Sequence, residues 1–195
     1  MAKRQKQNNP RSGRLRIVAG NWRSRLLDIA DVPGLRPTSE RIRETLFNWL
    51  EPRIRGARCL DLFAGTGALG LEALSRGAGS AVFVEKSMPA VSTLTANIKA
   101  LDAERAVVRH MDALDYLRSE NTERFDIVFL DPPFAAGMID DLCRLLADQE
   151  ILANDAYIYI EQERSKAEPE LPAGWDVLKN KTAGSVRYML VRQET

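Results

Sequence analysis

The sequence predicts an α/β fold with a mostly parallel seven-stranded sheet, an antiparallel edge strand and helices on both faces. From residue 58 onward, short apolar runs typical of strands alternate with segments of helical periodicity, which is the pattern of βαβ units. The last two strand-like runs follow each other without a helix between them, and this order predicts the antiparallel edge. Upstream, apolar and basic residues alternate around a short turn, which predicts an N-terminal β-hairpin extension.

The predicted hairpin turns near Gly20 and has one apolar face and one face that carries arginines. The arginines are Arg14, Arg16, Arg23 and Arg25. The apolar residues that interleave with them are Leu15, Ile17, Trp22, Leu26 and Ile29. After the hairpin, the pair Thr38-Ser39 precedes a capped amphipathic helix predicted from Glu40 to Leu50 and closed by Pro52.

Strands and helices then alternate along the α/β part. The strands are predicted at Cys59–Phe63, Ala81–Glu85, Ala106–His110, Phe125–Leu130, Ala156–Ile160, Trp175–Leu178 and Val186–Val191. The helices between them are predicted at Leu69–Ser75, Met88–Leu101, Ala113–Arg118 and Met138–Ala147. The polar segment 179–184 predicts the turn that joins the last two strands.

The charge of the chain is strongly asymmetric, although its formal net charge is only +1. Residues 1–58 carry 14 lysines and arginines against five acids, whereas residues 59–195 carry 14 against 22. A basic N-terminal segment of this kind is typical of a surface that binds a polyanion through salt-sensitive phosphate contacts. We therefore predict two parts, a basic arm with its hairpin at residues 1–35 and an α/β domain at residues 36–195.

The composition argues against several classes of protein. No apolar run approaches the length of a membrane span, and the basic N-terminus lacks the apolar block of a signal peptide. Cys59 and Cys143 are too few for a disulfide framework and have no CxxC spacing, which fits a reducing cytoplasm. Because His110 is the only histidine, we expect no zinc or other metal site.

A glycine-rich segment predicts a ligand site where the first helix of the α/β part begins. Gly65 and Gly67 let the backbone turn sharply and approach a ligand closely, just after the strand that contains Asp61. Two more acids, Glu85 and Asp112, stand at the ends of the next two strands, where they could accept hydrogen bonds from ribose hydroxyls and an adenine amine. A ligand with a cationic amine, a sulfonium and an adenosine, such as S-adenosylmethionine, would meet favourable charge throughout. For Asp112 the alternative role is to cap the next helix.

The segment Asp131-Pro132-Pro133-Phe134 leaves the fourth strand in an uncommon way. Pro133 fixes its own φ and biases Pro132 away from the α region, so the backbone stays extended. A carboxylate, a backbone carbonyl and an aromatic ring are then held in a fixed relation. Such a set can grip the exocyclic amine and the flat face of a nucleobase.

These segments, in this order and spacing, resemble the motifs of class I (Rossmann-like) S-adenosylmethionine-dependent methyltransferases. Closer still, the segments 20–23, 36–44 and 183–184 resemble the RsmD family of bacterial 16S rRNA (guanine-N2) methyltransferases. The resemblance covers about residues 13–192. It implies methylation of the exocyclic N2 amine of a specific guanine, with S-adenosylmethionine as cofactor and 16S rRNA in the 30S subunit as partner.

The resemblance also implies roles for individual residues. Cofactor contacts are implied for Asp61, Phe63, Ala64, Gly65, Gly67, Glu85 and Asp112. The catalytic contacts to the amine and the base are implied for Asp131, Pro132, Pro133 and Phe134. RNA contacts are expected for Arg14, Arg16, Arg23, Arg25, Arg36, Arg41 and Arg43, of which the last three could instead order the loop over the cofactor. We expect a cytoplasmic monomer.

Three other functions are compatible with parts of the pattern. An NAD-dependent oxidoreductase fits Gly65, Gly67, Gly70 and Glu85, but it leaves Asp61, the Asp131 segment and the basic arm unexplained. A non-catalytic RNA-binding or assembly factor could retain the same fold without transferring a methyl group. A DNA methyltransferase acting on adenine or cytosine amines shares the chemistry, but a chain of 195 residues leaves little room for a separate target-recognition domain.

Overall fold

The computed structural model of the chain describes residues 13–33, 38–119, 123–133 and 137–194. Arg36 and Phe134 lie outside these residues. The strands are β1 (Arg14–Arg16), β2 (Leu26–Asp28), β3 (Arg58–Asp61), β4 (Ser80–Glu85), β5 (Ala106–His110), β6 (Phe125–Leu130), β7 (Leu152–Glu163), β8 (Trp175–Ala183) and β9 (Val186–Gln193). The helices are α1 (Glu40–Ile54), α2 (Ala68–Ser75), α3 (Met88–Ala100), α4 (Ala113–Arg118) and α5 (Ile139–Asp148).

Seven of the strands form one sheet in the order β5-β4-β3-β6-β7-β9-β8. Strands β3 to β7 pair in parallel, whereas β9 pairs antiparallel with both β7 and β8. The predicted sheet, with its antiparallel edge, is confirmed. Because β4 lies on one side of β3 and β6 lies on the other, the strand order reverses between β3 and β6. In open α/β sheets a ligand binds at such a switch point, outside the carboxyl ends of the strands.

Helices cover both faces of the sheet, as predicted. Helices α1, α2 and α3 share one apolar cluster with the first face, and α4 and α5 share a second cluster with the opposite face. The inner parallel strands β3, β4 and β6 are mostly buried between these layers, so they are nearly continuous apolar runs, whereas the edge strand β5 has no buried residue.

The N-terminal hairpin is packed tightly against this core. Leu15 and Leu27 are buried in the same cluster as α1 and α2, and β1 pairs with β2 in antiparallel register. The turn approaches α2 so closely that a Cβ on Gly20, at φ +82°, would lie 1.9 Å from the carbonyl oxygen of Ser75. Only glycine fits this position, because the carbonyl is backbone and cannot move aside. The hairpin is therefore held as part of the α/β core.

Three details of the sequence prediction are wrong. Helix α1 continues past Pro52 to Ile54, since a proline in the last turn removes one hydrogen bond while the buried Ile54 side chain gains apolar contact. Of the turn predicted at residues 179–184, residues 179–183 belong to β8, and Gly184 and Ser185 connect β8 to β9. Leu26 points outward and is 49% exposed, because its neighbour Leu27 occupies the apolar face of the hairpin.

Polar residues explain why the second half of β8 was predicted as a turn. An exposed edge strand accepts polar side chains without losing its ladder of hydrogen bonds, so segment 179–182 had the composition of a loop. The true turn has Gly184 at φ +60°, as two-residue hairpin turns require. Within the described parts of the chain, no helix is long and apolar enough to cross a bilayer.

Candidate active site at the strand switch point

A cleft of about 970 Å³ opens over the carboxyl ends of the parallel strands. It is bordered by the segments that follow β3, β4, β5 and β6, together with the start of α1 and the β8–β9 turn. Five acids line it: Asp61, Glu85, Asp112, Asp131 and Glu161. A cleft with this lining favours a cationic ligand.

The loop after β3 forms one wall of the cleft and has the geometry that its glycines allow. Gly65 and Gly67 have φ values of 52° and 91°, and Gly67 is the N-cap of α2. A Cβ on Gly67 would lie 2.7 Å from atoms of Leu71 and Leu94, so the loop is packed on its inner side. Phe63 and Ala64, both predicted to contact a cofactor, also line the cleft. The backbone of this loop therefore faces the cleft at close range.

Asp61 is buried at the end of β3 and lines the cleft. Its Oδ2 accepts a hydrogen bond of 3.0 Å from the backbone N–H of Gly70. Burial raises the pKa of Asp61 to about 7, although the bond from Gly70 acts in the opposite direction. Nearby Glu85 adds to the increase. A buried carboxyl with a raised pKa gains from a cationic partner, because the partner offsets the desolvation of the charged form.

Glu85 and Asp112 already have backbone partners. The carboxylate of Glu85 accepts hydrogen bonds from the N–H groups of Gly65, at 2.8 Å, and Ser87, at 2.7 Å. Each oxygen keeps a second lone pair, so Glu85 can still accept from ribose hydroxyls. Asp112 caps α4 by accepting from the N–H of Leu114 at 2.9 Å, which is the alternative role foreseen for it. It nevertheless lines the cleft, where its second carboxylate oxygen lies 3.7 Å from the Nζ of the exposed Lys86. That oxygen keeps lone pairs that can accept a further hydrogen bond.

Asp131 follows β6 and stands beside Glu161 of the neighbouring strand β7. Leu130 pairs with Ile160, so Asp131 and Glu161 are the next residues along two parallel strands. The Oγ1 of Thr38, just before α1, donates to Oδ2 of Asp131 at 3.1 Å. The hydroxyl of Tyr159 donates to Oε2 of Glu161 at 2.7 Å. Two carboxyls and two hydroxyls thus form one polar cluster at the edge of the cleft.

The two carboxyls influence each other. Burial, followed by the charge of Glu161, raises the pKa of Asp131 well above its ordinary value, and the hydrogen bond from Thr38 opposes this. Burial likewise raises the pKa of Glu161, against the hydrogen bonds from Tyr159 and Thr38. Glu161 is buried and Asp131 is half-buried, so the two neighbouring carboxyls cannot both ionise easily and the ligand-free pair tends to keep a proton.

Sequence reasoning missed Glu161, Thr38 and Tyr159. Glu161 follows an apolar run in β7, the strand next to the one that ends at the Asp131 segment. An acid in this position could have been recognised from the sequence as a further candidate for the cleft. Thr38 lies in a segment for which the sequence predicted a helix cap and functional arginines, but no role for the threonine. Only the packing of α1 against the sheet brings its hydroxyl to Asp131.

The arginines predicted to bind RNA fall into two groups. Arg14, Arg16, Arg23, Arg25 and Arg41 are exposed. The RNA-binding prediction for Arg43 is wrong, because its side chain is fully buried and paired with Glu72 at 3.1 Å. Its Nε donates to the carbonyl of Thr38 at 3.2 Å and its Nη2 to the carbonyl of Arg16 at 2.8 Å. Arg43 therefore joins the hairpin to the segment that contacts Asp131. Its alternative role, ordering the loop over the cofactor, stays a prediction.

The strand order, the glycine loop and the acids at the strand ends define the class I S-adenosylmethionine-dependent methyltransferase fold. An RNA methyltransferase from Salinibacter ruber, solved in complex with S-adenosyl-L-homocysteine, has this fold at a TM-score of 0.62 and 15% identity, covering 82% of this chain and 94% of that one. The predicted fold class is confirmed.

Comparison with closer relatives identifies the family. Residues 15–192 match the family described as "Conserved hypothetical protein 95". Ribosomal RNA small subunit methyltransferase D of Escherichia coli K12 is 46% identical over 189 residues, which cover 97% of this chain and 95% of that protein. The structure of the candidate methyltransferase yhhF from Escherichia coli superposes with a TM-score of 0.87 at 43% identity, covering 93% of this chain and 99% of that one. The chain belongs to the RsmD methyltransferase family, as its sequence motifs predicted.

Proposed function

We propose that this protein transfers a methyl group from S-adenosylmethionine to the exocyclic N2 amine of a specific guanine in 16S rRNA of the 30S subunit. The observation that carries the proposal is the common cleft shared by Asp61, beside the glycine loop, and Asp131, at the tip of the adjacent strand. Family membership supports methyl transfer to small-subunit rRNA, since the relative with 46% identity has that name. The choice of a guanine N2 amine extends the resemblance noted from the sequence.

The residues of the cleft fit S-adenosylmethionine. Asp61 would take the cationic amine, Glu85 the ribose hydroxyls and Asp112 the adenine amine, while Phe63, Ala64 and Gly65 would form the wall of the pocket. Gly67 is not among the residues that line the cleft, and as the N-cap of α2 it would act by shaping the loop. The volume of about 970 Å³ leaves space for a second molecule, as a reaction with a nucleobase needs. When bound, the cofactor supplies an electrophilic methyl group on a sulfonium.

The chain's own residues then prepare the amine. The carboxylate of Asp131 and the carbonyl of Pro132 would accept the two amine hydrogens, which orients the nitrogen lone pair and stabilises its developing positive charge. Thr38 holds the Asp131 carboxylate by donating to Oδ2. Phe134 would stack on a base removed from its neighbours. The amine proton would pass to Asp131 or to water.

The test is labelled methyl transfer to 30S subunits from a strain that lacks this modification, followed by mapping of the modified base. We expect one labelled guanine N2 amine. For Asp131→Ala, we expect unchanged cofactor binding and methyl transfer reduced on the order of a hundredfold or more. Near-normal turnover by this variant would remove Asp131 from the mechanism.

The same preparation separates the other functions. Calorimetry with NADH and with S-adenosylmethionine distinguishes the oxidoreductase from the methyltransferase. A non-catalytic RNA-binding factor would bind 30S subunits without labelling them, and a DNA methyltransferase would label duplex DNA instead.

The exposed arginines Arg14, Arg16, Arg23, Arg25 and Arg41, with Arg36, would hold phosphates and position the enzyme. Sedimentation tests the expected monomer.

A further inference from the structure

One border of α1 and the edge strand β8 together form a basic and aromatic surface that leads to the cleft. We call it the α1–β8 band and define it by Arg41, Trp49 and Arg53 on α1 and by Lys179 and Lys181 on β8. Its four cations are exposed, and within the described residues none of them is paired with a carboxylate. The band therefore presents four positive charges with no acid against them.

Helix α1 separates its charges by sign. On a helix that turns about 100° per residue, Trp49 and Arg53 lie about 40° apart, and Arg41 lies about 80° from Trp49 on the side toward the acids. The acids of the helix occupy a different stripe: Glu40, Glu44 and Glu51. An ordinary solvated helix face mixes the two signs. Segregation of this kind indicates a surface that meets one sign of charge.

Aromatic rings hold two of the cations in place. The Nζ of Lys181 lies 5.7 Å from the centroid of the Trp49 ring, and the Cζ of Arg53 lies 5.6 Å from that of Tyr157. Trp49 itself stacks on Tyr188 of β9, with ring centroids 5.5 Å apart. A cation seated on a ring has fewer orientations to lose when it binds a phosphate, so the rings prepare the band for an anion.

The band ends at the active site. Arg41 lines the cleft, and so does the β8–β9 turn at residues 183–186, which begins two residues after Lys181. From Arg41 to Arg53 the helix axis spans about 18 Å, the length of about five stacked nucleotides of one strand. A strand bound along the band would reach the cleft beside Asp131 at one end.

We propose that the α1–β8 band binds the phosphate backbone of the rRNA strand that flanks the target nucleotide and guides that nucleotide into the cleft. This inference rests on the proposed function. It adds a second RNA contact surface to the one formed by the hairpin arginines. The two parts of this second surface are far apart in sequence, since 130 residues separate Trp49 from Lys179. Binding would be electrostatic and independent of base sequence.

The experiment compares Lys179→Ala/Lys181→Ala with Arg105→Ala/Arg109→Ala, a control pair of exposed cations at the opposite edge of the sheet. Filter binding to free 16S rRNA and to 30S subunits is measured between about 50 and 200 mM salt. We expect the band variant to bind both about tenfold more weakly, with a log–log salt slope smaller by about 2, because two phosphate contacts are lost. The loss should appear in the KM for 30S subunits, with cofactor affinity unchanged. The control should behave as the wild type.

A rescue variant guards against a structural explanation. Lys179→Arg/Lys181→Arg keeps both charges and should restore the wild-type salt slope. Equal binding by the band variant and the control would overturn the inference, as would a defect toward 30S subunits without one toward free 16S rRNA, since the partner would then be a protein. A wild-type enzyme that labels no rRNA would instead refute the proposed function.

Discussion

The buried ion pair of Arg43 and Glu72 should determine whether the hairpin stays attached to the core. Both side chains are fully buried. The Glu72 carboxylate accepts from the backbone N–H groups of Val18 and Ala19, at 2.8 and 3.0 Å, and from the Nε of Arg76 at 2.8 Å. Burial lowers the pKa of Arg43, and Glu72 opposes that decrease. The pair thus joins α1, α2 and the end of β1.

We predict that Glu72→Leu lowers the free energy of unfolding by about 4 to 7 kcal/mol. Breaking a buried pair costs about 3–5 kcal/mol because the remaining charge is left uncompensated. Two backbone N–H groups at Val18 and Ala19 also lose their acceptor, at about 1–3 kcal/mol for each group that stays buried and unsatisfied. Part of this loss is recovered by water, because the two groups are only half-buried.

The assay is equilibrium urea unfolding, with limited trypsin digestion at Arg23 and Arg25 as a local probe of the hairpin. The double variant Arg43→Met/Glu72→Leu should be more stable than Glu72→Leu alone, since no unpaired charge remains. Arg41→Met, an exposed neighbour on the same helix, should change stability by less than about 0.5 kcal/mol. If the free energy of unfolding of Glu72→Leu were within about 1 kcal/mol of the wild-type value, the ion pair would not be what holds the hairpin to the core.

Three further variants test the site. Glu161→Gln removes a charge that helps to raise the pKa of Asp131, so the pH at which single-turnover methyl transfer increases should be lower than in the wild type. An unchanged pH–rate profile would show that the two carboxyls are independent. Asp61→Asn should weaken cofactor binding about ten- to hundredfold by calorimetry, since a charged hydrogen bond contributes about 1.5–3 kcal/mol. Because the folded pKa of Asp61 is raised to about 7, the ionised group destabilises the free protein progressively between about pH 4 and 7. Asp61→Asn should therefore melt higher than the wild type at pH 7.5, and an equal or lower Tm would contradict this. Arg16→Ala/Arg23→Ala should reduce the salt slope of RNA binding without changing cofactor affinity, and an unchanged slope would exclude these arginines from the RNA surface.

Periodicity located the strands and helices of the core, although β7 extends beyond the predicted Ala156–Ile160 at both ends. Strand β6 and helix α4 have the predicted limits, because apolar runs and the turns that bound them are local properties. The glycine loop and the Asp131 segment were also visible in the sequence, since each depends on neighbouring residues. Elements at the surface were harder, as the polar strand β8 and the proline within α1 show.

The sequence by itself determined the order of the elements, the positions of the acids at the strand ends and the family. Only the tertiary structure decided which side chains meet. Arg43 looks like its exposed neighbour Arg41 in the sequence, yet the helix turns it inward to Glu72, 29 residues away. Glu161 joins Asp131 because parallel strands distant in sequence align in register. Contacts of this kind depend on packing across the whole sheet, which no local pattern of residues encodes.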